Sequence, residues 1–143
     1  MKPVLHLLGN NRIFAGAHDE FCSALKHYRH NQYKECVNDC LKAFESLMKA
    51  IHEKHSWQFN QNYSSQKLIQ SCLDNGLIPK YLQSQLSNII KLLLECGVPT
   101  IRNKVSSHGQ GTNISTVPEH LASYTIHLTA TNLLFLARCE EQL

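Results

Sequence analysis

The sequence predicts an all-α fold, and three observations predict it. Apolar residues recur at i, i+3, i+4 and i+7 over several long stretches. No stretch carries a competing two-residue alternation, apart from a weak possibility in "PVLHLL" near the N-terminus. Turn signals such as "DNG" at Asp74 to Gly76 separate the periodic stretches. At 143 residues, with 43% hydrophobic and 17% charged residues, the chain is long enough for one domain with a real core and lacks the composition of a disordered protein.

Five segments read as helices. The first, about His18 to His30, sets Phe21, Ala24, Leu25 and Tyr28 on one face. The second, about Tyr33 to His55, has the clearest stripe: Cys36, Val37, Cys40, Leu41, Phe44, Leu47, Met48 and Ile51. Its other side carries Lys34, Glu35, Asp39, Lys42, Glu45, Lys49 and Glu53 and is expected to be wet. A short third helix fits Ser65 to Leu73. The fourth opens near Pro79 and carries Leu82, Leu86, Ile89, Ile90, Leu93 and Leu94, with Gly97 as its left-handed cap and Pro99 beyond. For the fifth, Thr116 and Glu119 form a capping box with Pro118 in the first turn. From Leu121 to Ala137 this helix is apolar almost all round, which predicts a central place in the bundle or burial against a second subunit. Residues 1–17 show no strong period and read as an N-terminal docking arm or a linker remnant, leaving 18–143 as the helical domain.

Charge and cysteine usage narrow the class. The formal net charge of +3 is compatible with a polyanionic partner and too mild to require one. All six cysteines (Cys22, Cys36, Cys40, Cys72, Cys96, Cys139) fall in apolar helical patterns, so free thiols and a reducing cytoplasm are expected. No signal peptide and no apolar run of membrane-spanning length is present. His27 with His30, and His52 with His55, stand at i,i+3, and Cys36 with Cys40 at i,i+4, but no two-plus-two zinc pattern appears. No metal or cofactor is expected. There is no P-loop, nucleophile elbow or dinucleotide fingerprint.

The densest polar cluster, "PTIRNKVSSHGQG" from Pro99 to Gly111, lies between two of the most apolar segments. Within it Arg102 and His108 are separated by five residues, and Asn103 follows the arginine directly. This resembles the R-x(4–6)-H motif of the HEPN superfamily, small helical bundles that are often metal-independent ribonucleases. "GVPTIRNKVSSHGQG" further resembles the C-terminal domain of bacterial abortive-infection proteins, and "NDCLKAFESLMKAI" is similar to an earlier helix of that family. The resemblance spans roughly His18 to Leu143. It implies a HEPN-like bundle of about five helices, assembled as a two-fold dimer, with RNA as substrate and a toxin or antiphage role. It also allows an antitoxin partner or a further domain of a larger defence protein.

The residue chemistry fits that implication. Metal-free RNA cleavage needs a base for the 2′-hydroxyl, an acid for the leaving 5′-oxygen and positive charge on the phosphorane-like transition state. Histidine suits proton transfer near neutral pH, and arginine supplies a permanent charge on a fork that matches phosphate oxygens. Asn103 and Ser107 would orient these groups or hold a phosphate, and Lys104 would contact phosphate or remain solvated. Glu45 stands where the family often has an acidic residue near the motif arginine, and would either position Arg102 or lie on a wet face. One chain offers one such His where two proton-transfer groups are wanted. A dimer joining two copies of the stretch supplies both, in agreement with the composite site that the resemblance implies. Gln110 stands where some HEPN toxins carry a modifiable tyrosine. The reading is an endoribonuclease leaving 2′,3′-cyclic phosphates; the alternative is a catalytically silent HEPN module that binds RNA or a protein partner.

Overall fold

A computed structural model describes residues 1–78, 81 and 117–143. Five α-helices and no strand are found among the described residues: α1 (Lys2–Gly9), α2 (Ala15–Arg29), α3 (Tyr33–Lys54), α4 (Ser65–Asp74) and α5 (Glu119–Glu141). The predicted helix near Pro79, with its Gly97 cap, lies outside the described residues.

The weak strand pattern in "PVLHLL" is helical. Pro3 sits in the first turn of α1, where a missing N–H is harmless, and Val4 and Leu8, one turn apart, are buried. Asn11 then accepts from Ile13 N at 3.3 Å to cap a single 3-10 turn, Arg12–Phe14. That turn feeds straight into α2, which therefore starts at Ala15, three residues before the period becomes visible at His18. Phe14 and α1 pack on the main core, α1 against α2 and α5.

Helix α3 organises the domain. It packs on α2, α4 and α5. Its stripe of Cys36, Cys40, Leu47, Met48 and Ile51 is fully buried. Truncating a fully buried leucine such as Leu47 to Ala is expected to cost about 2–5 kcal/mol. One expectation is corrected here. Asp39 is not on a wet face but 9% exposed, because Ser23 and His27 of α2 supply the partners that a buried carboxylate requires.

Helix α4 follows its sequence signals closely. Ser64 accepts from Lys67 N at 3.3 Å as N-cap, and Gly76, at φ +79°, completes the turn beyond the helix. Helix α5 departs from them twice. Its N-cap is Pro118, so proline stands just ahead of the first turn, and Glu119 accepts from Tyr28 Oη at 3.2 Å. Thr116, the other half of the expected capping box, lies outside the described residues. Nor is α5 dry all round. Tyr124, His127, Thr131, Arg138 and Glu141 form an exposed stripe, while Ala122, Ile126, Leu133, Leu136 and Ala137 face inward. Buried Thr125 and Thr129 complete the inner face; Thr129 Oγ1 donates to the Thr125 carbonyl at 2.7 Å, which lets a polar residue go in.

Candidate functional site

Arg102, Asn103, Lys104, Ser107 and His108 lie outside the described residues; Glu45 lies within them. The chain leaves the core at Leu77 and Ile78, each 2% exposed. It returns at Val117, 4% exposed, which packs in a second apolar cluster with Val37 and Ala122. Both ends of the motif-bearing segment are thus fixed to the domain.

Glu45 is half-buried on α3 and accepts from Ser65 Oγ at 3.0 Å. The adjacent Ser46 donates to Glu20 Oε1 of α2 at 2.9 Å. Glu20 Oε2 is buried and without a partner among the described residues. Burial pushes the Glu20 carboxyl above its usual range, with Asp39 and Glu45 adding to the rise while the Ser46 hydrogen bond and Lys42 oppose it. Glu20 of α2 is therefore an electrostatic neighbour of both Asp39 and Glu45 of α3. Periodicity could not reveal this, since it does not record which face of α2 meets which face of α3.

A second polar cluster bridges the same two helices. Asp39 Oδ2 accepts from Ser23 Oγ and pairs with His27 Nδ1, each at 2.7 Å. The anchored Nδ1 fixes the orientation of a half-exposed imidazole. His30 does not join it; its Nδ1 bonds the Lys26 carbonyl at 2.9 Å. His52 and His55 also diverge. Fully buried His52 bonds the Met48 carbonyl and Ser71 Oγ, each at 2.7 Å, while His55 pairs with Glu140 and stacks on Trp57. Glu140, buried near the end of α5, also pairs with Lys54. Among the described residues no three His, Cys, Asp or Glu side chains are placed to hold a metal.

The five described cysteines are free thiols, and Cys96 lies outside the described residues. The neighbouring Cys40 thiol lowers Cys36, while Cys36 and burial together push Cys40 well above the usual range. On α5, His120 and His127 are exposed, and His127 Nδ1 bonds the Ser123 carbonyl at 2.7 Å.

The α2–α3 turn holds an open cavity of about 270 Å³, lined by Asn31, Gln32, Tyr33, Lys34, Glu35 and Val117. Tyr28 and Tyr33 pack as a tilted pair with ring centroids 5.8 Å apart. Tyr33 Oη donates to Asn31 Oδ1 at 2.9 Å, and Asn31 itself sits at φ +60°, where Asn is among the few residues tolerated. None of these was singled out by a sequence motif, because each is an ordinary turn or helix-end residue until the fold joins it to Val117.

No helix among the described residues is long and apolar enough to cross a membrane. No curated protein and no solved structure matches the chain. The sequence model of one family, Abi_C, described as a HEPN-like domain, matches residues 15–140. That span takes in α2, α3, α4, almost all of α5 and the whole Arg102–His108 stretch, and so this chain belongs to the Abi_C family of HEPN-like domains.

Proposed function

We propose that the protein is a metal-independent endoribonuclease that acts as a homodimer in abortive infection. The observation that carries this is the pairing of Arg102 and His108 across five residues inside a chain matched along residues 15–140 by a HEPN-like family. His108 takes the proton of the RNA 2′-hydroxyl, whose oxygen attacks the adjacent phosphorus. The bond from phosphorus to the 5′-oxygen breaks, and His108 of the partner subunit returns a proton to that oxygen. Arg102 holds the non-bridging oxygens as charge accumulates on them. The products are a 2′,3′-cyclic phosphate and a free 5′-hydroxyl. Asn103, Lys104 and Ser107 hold the flanking phosphate, and Glu45, half-buried beside Ser65, positions Arg102.

The test is incubation of the purified homodimer with mixed RNA in EDTA, beside a His108→Ala control. Cleavage by the wild type alone supports the reading. RNA bound but left whole would assign the protein to the silent class of HEPN modules instead.

A further inference from the structure

We propose that the cavity at the α2–α3 turn is a subsite for one unpaired base of single-stranded RNA. The choice of RNA as ligand rests on the nuclease reading above; the chemistry of the site is independent of it. The volume of about 270 Å³ falls just below the ~300–1,000 Å³ of drug-sized clefts, the scale of a base with part of its sugar. Tyr33 contributes an aromatic face, and its tilt against Tyr28 leaves that ring supported from one side. Its hydroxyl is spent on Asn31 Oδ1, which orients the amide so that Nδ2 remains a donor for a base-edge acceptor. Glu35, exposed on the same wall, can accept from an exocyclic amine. Lys34 supplies a cation for the attached phosphate and has no ion pair among the described residues. Stacking, edge hydrogen bonds and a phosphate cation are what recognition of a splayed base requires.

Position ties the cavity to the proposed cleavage stretch. Val117, in the cavity wall, is nine residues after His108 (117 − 108). Fully extended chain of that length spans at most about 32 Å, so the base held here lies within a few nucleotides of the scissile bond. The subsite would thus fix where along a strand cleavage falls.

The experiment measures binding of a fluorescent, fully 2′-O-methylated single-stranded oligoribonucleotide, which cannot be cleaved, to the full chain. Tyr33→Leu keeps apolar packing against Val37 and Val117 and removes the ring; it should weaken binding about 5- to 150-fold, the range of one lost base stack. Asn31→Gly preserves the positive φ and removes the amide, and should weaken binding severalfold. Lys34→Gln should flatten the dependence of log affinity on log salt by about 0.7. Wild-type affinity in Tyr33→Leu and Asn31→Gly would overturn the subsite while leaving the nuclease reading intact. Should Tyr33→Leu fail to fold, Asn31→Gly and Lys34→Gln decide, and wild-type binding in both overturns it. Weakened binding in these variants of a protein that cleaves no RNA would support the subsite and remove the nuclease.

Discussion

Ser65 Oγ donates a 3.0 Å hydrogen bond to Glu45 Oε1, joining the first residue of α4 to the carboxylate proposed to position Arg102. The two roles of Glu45 can be separated. Ser65→Ala should cost about 1 kcal/mol in urea unfolding, the net worth of one such bond, and leave cleavage nearly unchanged. Glu45→Gln keeps an oxygen to accept from Ser65 but removes the charge, so cleavage should fall while stability holds. If Glu45→Gln cleaves at the wild-type rate, Glu45 is only a tie between α3 and α4.

Glu20 gives a prediction about pH. Its folded pKa is raised by burial, so the native state binds this proton more tightly than the unfolded chain does. The group therefore favours folding most fully below its ordinary value of 4.5, and that advantage is lost as pH rises through the raised value. Above the raised value the ionised Glu20 opposes folding. Glu20→Gln, whose amide oxygen can still accept from Ser46, should be more stable than wild type at pH 7 and no more stable at pH 4. Urea midpoints at the two pH values check it; an equal gain at both would contradict the account.

His52 and Ser71 form a buried pair that tests the α3–α4 contact. The Met48 carbonyl can only accept, so His52 carries its proton on Nδ1 and Nε2 accepts from Ser71 Oγ. Ser71→Ala should leave Nε2 without a partner in a fully buried ring and cost about 1–3 kcal/mol. A loss below a few tenths of a kcal/mol, measured by urea unfolding, would mean that the ring finds another donor.

Most of the helical framework was legible in the sequence, and the exceptions have physical causes. The α3 stripe and the α4 boundaries emerge directly from period and cap, because the buried apolar residues of α3 recur at helical spacing and Ser64 caps α4. Helix α1 is too short to be stable alone and fully buries just Val4 and Leu8, so no period announces it. Asp39 was misplaced because an acidic residue between apolar stripes reads as wet until Ser23 and His27, more than ten residues upstream, are known to face it. The exposed stripe of α5 was hidden because Tyr124 looks as apolar as the inward residues. The motif itself needed no structure to be seen, being one short run of sequence. The carboxylate group of Glu20, Asp39 and Glu45 did, since it is contributed by two helices.

The thiols should behave as buried hydrophobes. Burial pushes Cys72 up to about 12 and raises the half-exposed Cys22 and Cys139 as well. At pH 7 the folded protein should therefore alkylate slowly, Cys22 and Cys139 before Cys72. Under denaturing, non-reducing conditions all six cysteines should label at once. Any cysteine that labels only after reduction would reveal a disulfide and contradict the expected reducing compartment.

The central claim, that His108 and Arg102 cleave RNA without a metal, is tested most directly by end analysis of products formed in EDTA. Wild-type protein should yield fragments with 2′,3′-cyclic phosphates and 5′-hydroxyls, and leave single-stranded DNA of the same sequence whole, because DNA lacks the attacking 2′-oxygen. His108→Ala and Arg102→Ala should each lose about 10²-fold or more in rate. Arg102→Lys should recover only part of that loss, since a point charge does not replace a two-pronged contact. Cleavage that requires a metal, cuts DNA, or persists in a folded, dimeric His108→Ala protein would contradict the assignment.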